Sequence, residues 1–432
     1  MTKIKSAFQE ELKQGLIEGD DKSTLAMIPT FVTKLPKGTE TGLTYALDIG
    51  GTNLRVFKVL LTGHSTAQIT ASVSIEIPKD IQFLDVHAFF SFVADQVKLL
   101  VGDTQEEIQL GFTFSFAYQQ TSINSGILLR WTKGFNASGF GDKDVVVLLQ
   151  EALRKKGINA NVGALIDDTT GTMLTGSYKN IGPNCCMGVI IGTGINICYW
   201  EDLHNIKKLP GEHPKGDGMI VNTEAGNFGS LPSLGRDLVI TKWDQILNAQ
   251  SLNPDQQMLE KQVSGMYLGE LFRIMLLDLV RNGDLVKEDE KNGKLEQKDG
   301  FSTQEMGIVE ADETPQLSKV EQQLVNYSIQ STLEQRKLVQ RLAFGISSRA
   351  SALVASIVAG CLSQMGRDKE EVSVAVDGSV FEKYPNFKQR IQTNLQMLLG
   401  HNKVHLVLVK DGSGVGAALA TLIFGKENKV DI

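Results

Sequence analysis

The chain has 432 residues, 42% hydrophobic and 22% charged, far from the low-hydropathy, high-charge range in which chains stay disordered. Its length is about three times a soft prior of ~150 residues per domain, so two or three lobes are expected. The 43 Lys and Arg against 50 Asp and Glu give a net charge of −7, and an acidic chain with no long basic run repels a phosphate backbone, so no nucleic-acid partner is expected.

Residues 1–12 lack the pattern of a signal peptide, and no uncharged apolar run is read as reaching the ~20 residues of a membrane helix. Four cysteines, two of them adjacent at Cys185 and Cys186, form neither a disulfide framework nor a C-x-x-C zinc pair. The expectation is a cytoplasmic chain with no membrane partner and no protein-held metal.

In chain order, residues 4–17 carry the apolar spacing of an amphipathic helix, and 27–42 form a connector punctuated by Pro and Gly. Two β-rich runs follow, 43–49 and 54–61, joined by Gly50-Gly51-Thr52-Asn53, which predicts strand, tight turn, strand. Next come a strand over 107–116, a helix over 144–156 and a strand over 161–166 that ends in Asp167-Asp168-Thr169-Thr170-Gly171-Thr172. The hairpin construction returns at 188–191 and 195–199 around Gly192-Thr193-Gly194, which predicts a duplicated architecture.

Helical patterning covers 256–281 and 319–364, with a polar, exposed stretch at 287–299 between them. Two last strands, 372–376 and 404–409, stop at or just before Asp377-Gly378-Ser379 and Asp411-Gly412-Ser413. This alternation predicts an α/β protein of two lobes.

The turn after Asp48 presents bare amides: glycines without Cβ let N–H groups approach phosphate oxygens, while Thr52 offers a hydroxyl and Arg55 a charge. An ordinary hairpin with a surface Arg satisfies the same residues. Gly192-Thr193-Gly194 is weaker alone, but two such turns across a cleft would hold one polyphosphate. Asp167-Asp168 reads as a helix N-cap or as a general base for a hydroxyl attacking a phosphoryl group. No P-loop, no dinucleotide fingerprint and no protein-kinase motif set is present.

Several of these segments, in this order, resemble the hexokinase family. Residues 47–56 are similar to its first phosphate motif and 192–196 to its second. Phe114-Ser115-Phe116 with 128–135 resembles its sugar-binding segment, and Asn222-Thr223-Glu224 with 253–271 resembles its large-lobe sugar contacts. The resemblance implies the duplicated, ribonuclease H-like, actin-like sugar-kinase fold. It implies a first lobe at 1–177, whose small-lobe body starts near 43, a second at 178–432, and a last helix that docks back on the first.

It further implies phosphorylation of the 6-hydroxyl of a hexose, most simply glucose, by ATP with Mg²⁺, by a monomer or homodimer. Asp168 would be the base and Lys133 a cation beside the sugar. Ser115, Thr132, Asp167, Asn196, Asn222, Glu224, Gln257 and Glu260 would hold the sugar. Asp48, Gly51, Thr52, Asn53, Arg55, Thr193 and Gly194 would surround the phosphates, with Asp48 reaching Mg²⁺ through water, and Gly378, Ser379, Gly412 and Ser413 would lie near the nucleoside.

The sequence departs from the family pattern where Asp167 replaces an Asn, Ala225 a Trp, Ala117 a Pro and Val415 a common Lys. An ionised Asp167 accepts but does not donate hydrogen bonds, so weaker sugar binding is expected if it faces the sugar. Ala225 leaves room beside Glu224, so an amino- or N-acetylamino-sugar kinase is one alternative, and a catalytically weak sugar sensor is another.

Overall fold

The computed structural model describes residues 1–17, 23–131, 134–209, 214–230, 238–288 and 293–425. Strand Thr41–Ile49 passes from half-exposed residues at its start to buried ones at its end, so its carboxyl end runs into the interior. It is the centre of a five-stranded sheet in the order Ala67–Glu76, Asn53–Thr62, Thr41–Ile49, Ile108–Phe114, Ala160–Ile166. The first three strands are antiparallel, and the last two run parallel to the centre.

The second sheet repeats that order and sense with Gly218–Asn222, Ile195–Asp202, Cys185–Ile191, Val372–Asp377 and Val404–Leu408. Ile28–Pro29 adds a short antiparallel strand at its edge. The duplicated architecture expected from the two glycine turns is therefore present in the strand order itself.

The helices that follow the sheets are exchanged. Asp168–Lys179 leaves the first sheet and packs on strands of the second, while the final helix, Gly412–Phe424, leaves the second sheet and packs on the first. The two helices cross at glycine: a Cβ on Gly416 would lie 2.1 Å from the Gly171 carbonyl oxygen, so neither side tolerates a larger residue without moving backbone. An apolar core including Ala46, Phe57, Ile166, Met173, Val415 and Ala418 fills this seam between the halves.

The N-terminal helix, Thr2–Gly15, packs on the long helix Leu333–Gln364, with Phe8 edge-on to Phe228 at 5.2 Å. A chain division at 177/178 falls within the last turns of helix Asp168–Lys179, and two helices before it, Thr2–Gly15 and Asp168–Lys179, pack on the second half while Gly412–Phe424 packs on the first.

Two helical expectations are corrected. The 319–364 segment is Ser318–Val325 and Leu333–Gln364, broken by strand Ile329–Gln330. Ser328 takes φ 58°, and Thr332 restarts the helix in a capping box with Gln335. The 256–281 segment breaks between Met258–Val263 and Leu268–Arg281, where Gly265 N–H donates to the Gly192 carbonyl at 2.8 Å and Met266 N–H to that of Thr193 at 3.3 Å.

The long helix Leu333–Gln364 also corrects the reading of apolar runs, being long and apolar enough to cross a membrane by length and composition. Its apolar window is 67% buried inside the protein, as in the core helix of a globular fold.

Candidate active site

Both sheets aim the carboxyl ends of their parallel strands at one cleft, the edge at which open α/β sheets bind ligands. From the first sheet come Asp48, Ser115 and the pair Asp167-Asp168; from the second come Gly192, Asp377 and Asp411. The cleft has a volume of about 470 Å³.

On the first side, the Gly50–Asn53 turn closes through a Gly50 N–H bond to the Asn53 carbonyl at 2.9 Å. Asp48 is 3% exposed, and its Oδ2 accepts from Arg55 Nη2 at 2.5 Å and Ser413 Oγ at 2.8 Å. Arg55 Nη1 donates to Asp411 Oδ1 at 3.0 Å. Burial would lower the Arg55 pKa, but the carboxylates of Asp48, Asp411 and Asp377 raise it on balance. Arg55 thus lines the cleft as expected, with its charge already engaged by carboxylates of both halves.

Asp377 accepts from the amides of Gly378 at 2.7 Å and Gly412 at 3.3 Å. Burial nevertheless pushes its carboxyl pKa up.

Of the pair Asp167-Asp168, Asp167 takes the N-cap role read from the sequence: its Oδ1 accepts from the amides of Thr169 (2.9 Å) and Thr170 (3.0 Å) and from the Thr169 hydroxyl, and its Oδ2 accepts from the Thr170 hydroxyl at 2.5 Å. It lines the cleft with its carboxylate committed to the helix that follows. Asp168, the first residue of that helix, also lines the cleft.

On the second side, Gly192 N–H bonds the Gly194 carbonyl at 2.9 Å. A Cβ on Gly194 would stand 2.4 Å from Glu260 Oε2. That carboxylate oxygen accepts from the Ile195 amide at 3.1 Å, so the turn and Glu260 are built as one unit.

Asn196 Nδ2 donates to Asn222 Oδ1 at 2.9 Å, and Asn222 Nδ2 donates to Glu224 Oε1 at 2.9 Å. Glu224 and Gln257 both sit at positive φ, 54° and 51°, a cost that bulky residues meet only where surroundings enforce it. Gln257 N–H is held by Asn227 Oδ1 at 3.1 Å, and its Oε1 accepts from Asn253 Nδ2.

Ser115, Gly51, Thr52, Asn53, Thr193, Asn196, Glu224, Gln257, Glu260, Gly378, Ser379 and Ser413 all reach the cleft wall. Asn222 and Gly412 do not. Asn222 stands behind the wall and orients Asn196 and Glu224, while Gly412 is buried, with its carbonyl accepting from Thr175 Oγ1 at 2.7 Å. Thr132 and Lys133 lie outside the described residues.

Of the departures, Val415 is 2% exposed in the core between the halves and brings nothing to the cleft. Ala225 is fully buried and gives its N–H to Asn196 Oδ1 at 3.2 Å, so it opens no space onto the wall.

Sequence reasoning missed Glu382, Lys383 and Lys410, which line the same cleft. Their nearness to the Asp-Gly-Ser triplets was the available signal. It also missed a second cavity of about 810 Å³ that shares Gly51, Thr52, Thr193, Ser379 and Lys383 with the first and extends over Met266, Ile308 and Tyr384. A polar cleft that opens into a more apolar chamber suits a substrate with a charged chain and a flat apolar end.

Two family models described as hexokinase match residues 1–178 and 186–423. Hexokinase-7 of Oryza sativa subsp. japonica is 39% identical over 96% of this chain and 92% of its own length. A glucokinase of Aspergillus niger is 37% identical over 97% and 93%. The solved hexokinase of Schistosoma mansoni complexed with glucose superimposes with a TM-score of 0.89, at 32% identity, over 98% of this chain and 94% of that one. A cleft with these residues at the strand ends, on a chain matched nearly end to end by such relatives, belongs to a member of the hexokinase family, a two-lobed actin-like phosphotransferase acting on a hexose.

Proposed function

We propose that the hexose is glucose and that Asp168 takes the proton of its 6-hydroxyl as that oxygen attacks the γ-phosphoryl group of ATP. The observation that carries this reading is the division of the aspartate pair: Asp167 caps the helix, and the neighbouring carboxylate stands in the cleft between the two glycine turns. Ser115, Asn196, Glu224, Gln257 and Glu260 read the remaining hydroxyls, and Asn222 acts from behind. The amides around Gly51, Thr52, Asn53, Thr193 and Gly194 receive the phosphates, and the second cavity takes the nucleoside beyond Ser379. The parts given to Thr132 and Lys133 at the sugar rest on the family resemblance alone.

Among the described residues no group of three or more His, Cys, Asp or Glu side chains is arranged to hold a metal ion. Both bonds of Asp48 fall on Oδ2, so a Mg²⁺ ion carried by the phosphates fits beside it through water, as this ion prefers. Its contribution would be positive charge on the γ-phosphoryl oxygens, since Arg55 is engaged elsewhere. The lobes of this reading are 1–177 and 178–432. The four cysteines, all free, agree with a reducing, cytoplasmic setting.

The amino-sugar alternative depended on Ala225 leaving space beside Glu224, and Ala225 is buried and does not line the cleft that Glu224 lines, which favours the glucose reading. A coupled assay of glucose, fructose, mannose, glucosamine and N-acetylglucosamine, with and without chelator, tests the reading. Glucose is expected to give the highest kcat/KM, with all activity lost to chelator. Preference for an amino sugar, or turnover undiminished by chelator, would overturn it.

A further inference from the structure

Lys261 is a buried charge that this mechanism does not use. It follows Glu260 on the helix Met258–Val263, is 2% exposed, and does not line the cleft. Its ammonium donates to Asn248 Oδ1 at 2.8 Å and to the Asn253 backbone carbonyl at 2.7 Å. Among the described residues no ion pair reaches it. Burial pushes its pKa down to about 8, against the opposing pull of Asp255 and Glu260.

The charges of the surrounding helices are already satisfied. Asp244 is paired in both oxygens with Arg349 at 2.7 and 2.8 Å, and Glu270 with Arg273 at 2.6 and 2.7 Å. Tyr267, whose pKa burial raises, is neutral. A buried ammonium without a direct ion pair is costly, so its retention calls for what it holds.

It holds the loop that ends in Gln257. Asn253, whose carbonyl the ammonium takes, gives its side-chain amide to Gln257 Oε1. Asn248, the second acceptor, donates to Asp255 Oδ1 at 2.7 Å and accepts from the Asp255 amide at 2.9 Å. Asp255 and Gln257 both take left-handed backbone, φ 63° and 51°, which side-chain-bearing residues adopt only when surrounding bonds impose it. The ammonium is the point at which the loop's carbonyl and its Asn248 anchor meet.

We propose that Lys261 is a positioning residue of the sugar subsite, holding residues 253–257 from behind so that Gln257 and Glu260 present their side chains to the cleft. This rests on the reading that those two residues contact the sugar.

The test is calorimetric glucose binding, kcat and thermal unfolding of the full chain for Lys261→Met and Lys261→Gln, with Gln257→Ala and Glu260→Ala measured in parallel. Lys261→Met is expected to weaken glucose binding about tenfold by freeing the loop, with kcat at saturating glucose within about twofold. Its Tm should change little, because removing a buried charge offsets the loss of its two hydrogen bonds. Lys261→Gln, which keeps an N–H donor, should recover part of the affinity, and it carries the test if the Met variant does not fold.

Glucose affinity within about twofold of wild type in Lys261→Met, or a lowered Tm with affinity unchanged in Lys261→Gln, would overturn the inference. If Gln257→Ala and Glu260→Ala leave affinity intact, the sugar-site reading itself fails. If they weaken it and Lys261→Met does not, only the positioning role fails.

Discussion

The two walls of the cleft are built on the same strand order and present different groups. The first wall carries carboxylates at the strand ends, Asp48 tied to a guanidinium and a hydroxyl, Asp167 tied to hydroxyls, and Asp168 beside them, with bonds from Arg55 to Asp411 and from Ser413 to Asp48 crossing to the other half. The second wall is a ladder of amides and carboxylates, Asn196 to Asn222 to Glu224, with Glu260 locked to the turn at Ile195. On the function proposed above, the duplicated scaffold has specialised: the first wall holds the aspartates assigned to charge and proton transfer, and the second holds most of the groups assigned to the sugar hydroxyls. Changes on the first wall should act on turnover and changes on the second on sugar affinity.

The strongest break should come from Asp168→Asn. An amide keeps the shape but accepts no proton, so kcat is expected to fall roughly a hundred- to ten-thousandfold while glucose affinity stays within a few-fold. Steady-state kinetics with calorimetric titration decide it, and surviving turnover would return Asp168 to a purely structural part.

Gly194→Ala attacks the second wall through backbone. The added Cβ, 2.4 Å from Glu260 Oε2, must displace that carboxylate and leave a sugar hydroxyl poorly paired. Glucose affinity should drop by roughly ten- to a hundredfold, about 1 to 3 kcal/mol. If kcat falls while affinity does not, the division between the walls is wrong.

Asp167→Asn should do least. Because its carboxylate is engaged by Thr169 and Thr170, and Asn caps a helix about as well as Asp, Tm should shift by less than roughly 4 °C and glucose affinity by less than about threefold. Tighter glucose binding by the variant, which sequence reasoning alone expects, would show instead that the sugar meets the Asp167 carboxylate.

What the sequence determined by itself is local. Gly50-Gly51 and Gly192-Thr193-Gly194 mark turns because glycine alone allows such close backbone approach. The β-rich runs around them mark two copies of one construction, and the aspartates at their ends mark a site. These signals span a few residues each, so they can be read without knowing what packs against them. That Asp167 rather than Asp168 would cap the helix was not legible, since either residue offers the same carboxylate to the same turn, and only the geometry of the strand end chooses.

Nor was it legible that Asn222 supports the wall from behind, or that segment 319–364 breaks at Ser328 to let strand Ile329–Gln330 pair with Val286–Lys287. These depend on partners far along the chain. The exchange of helices is the clearest case: Asp168–Lys179 and Gly412–Phe424 each carry glycines whose meaning appears only where Gly416 meets Gly171. Burying that seam sets the two walls face to face. The chain's local pattern specifies the groups at each wall, and long-range packing decides which of them share a cleft.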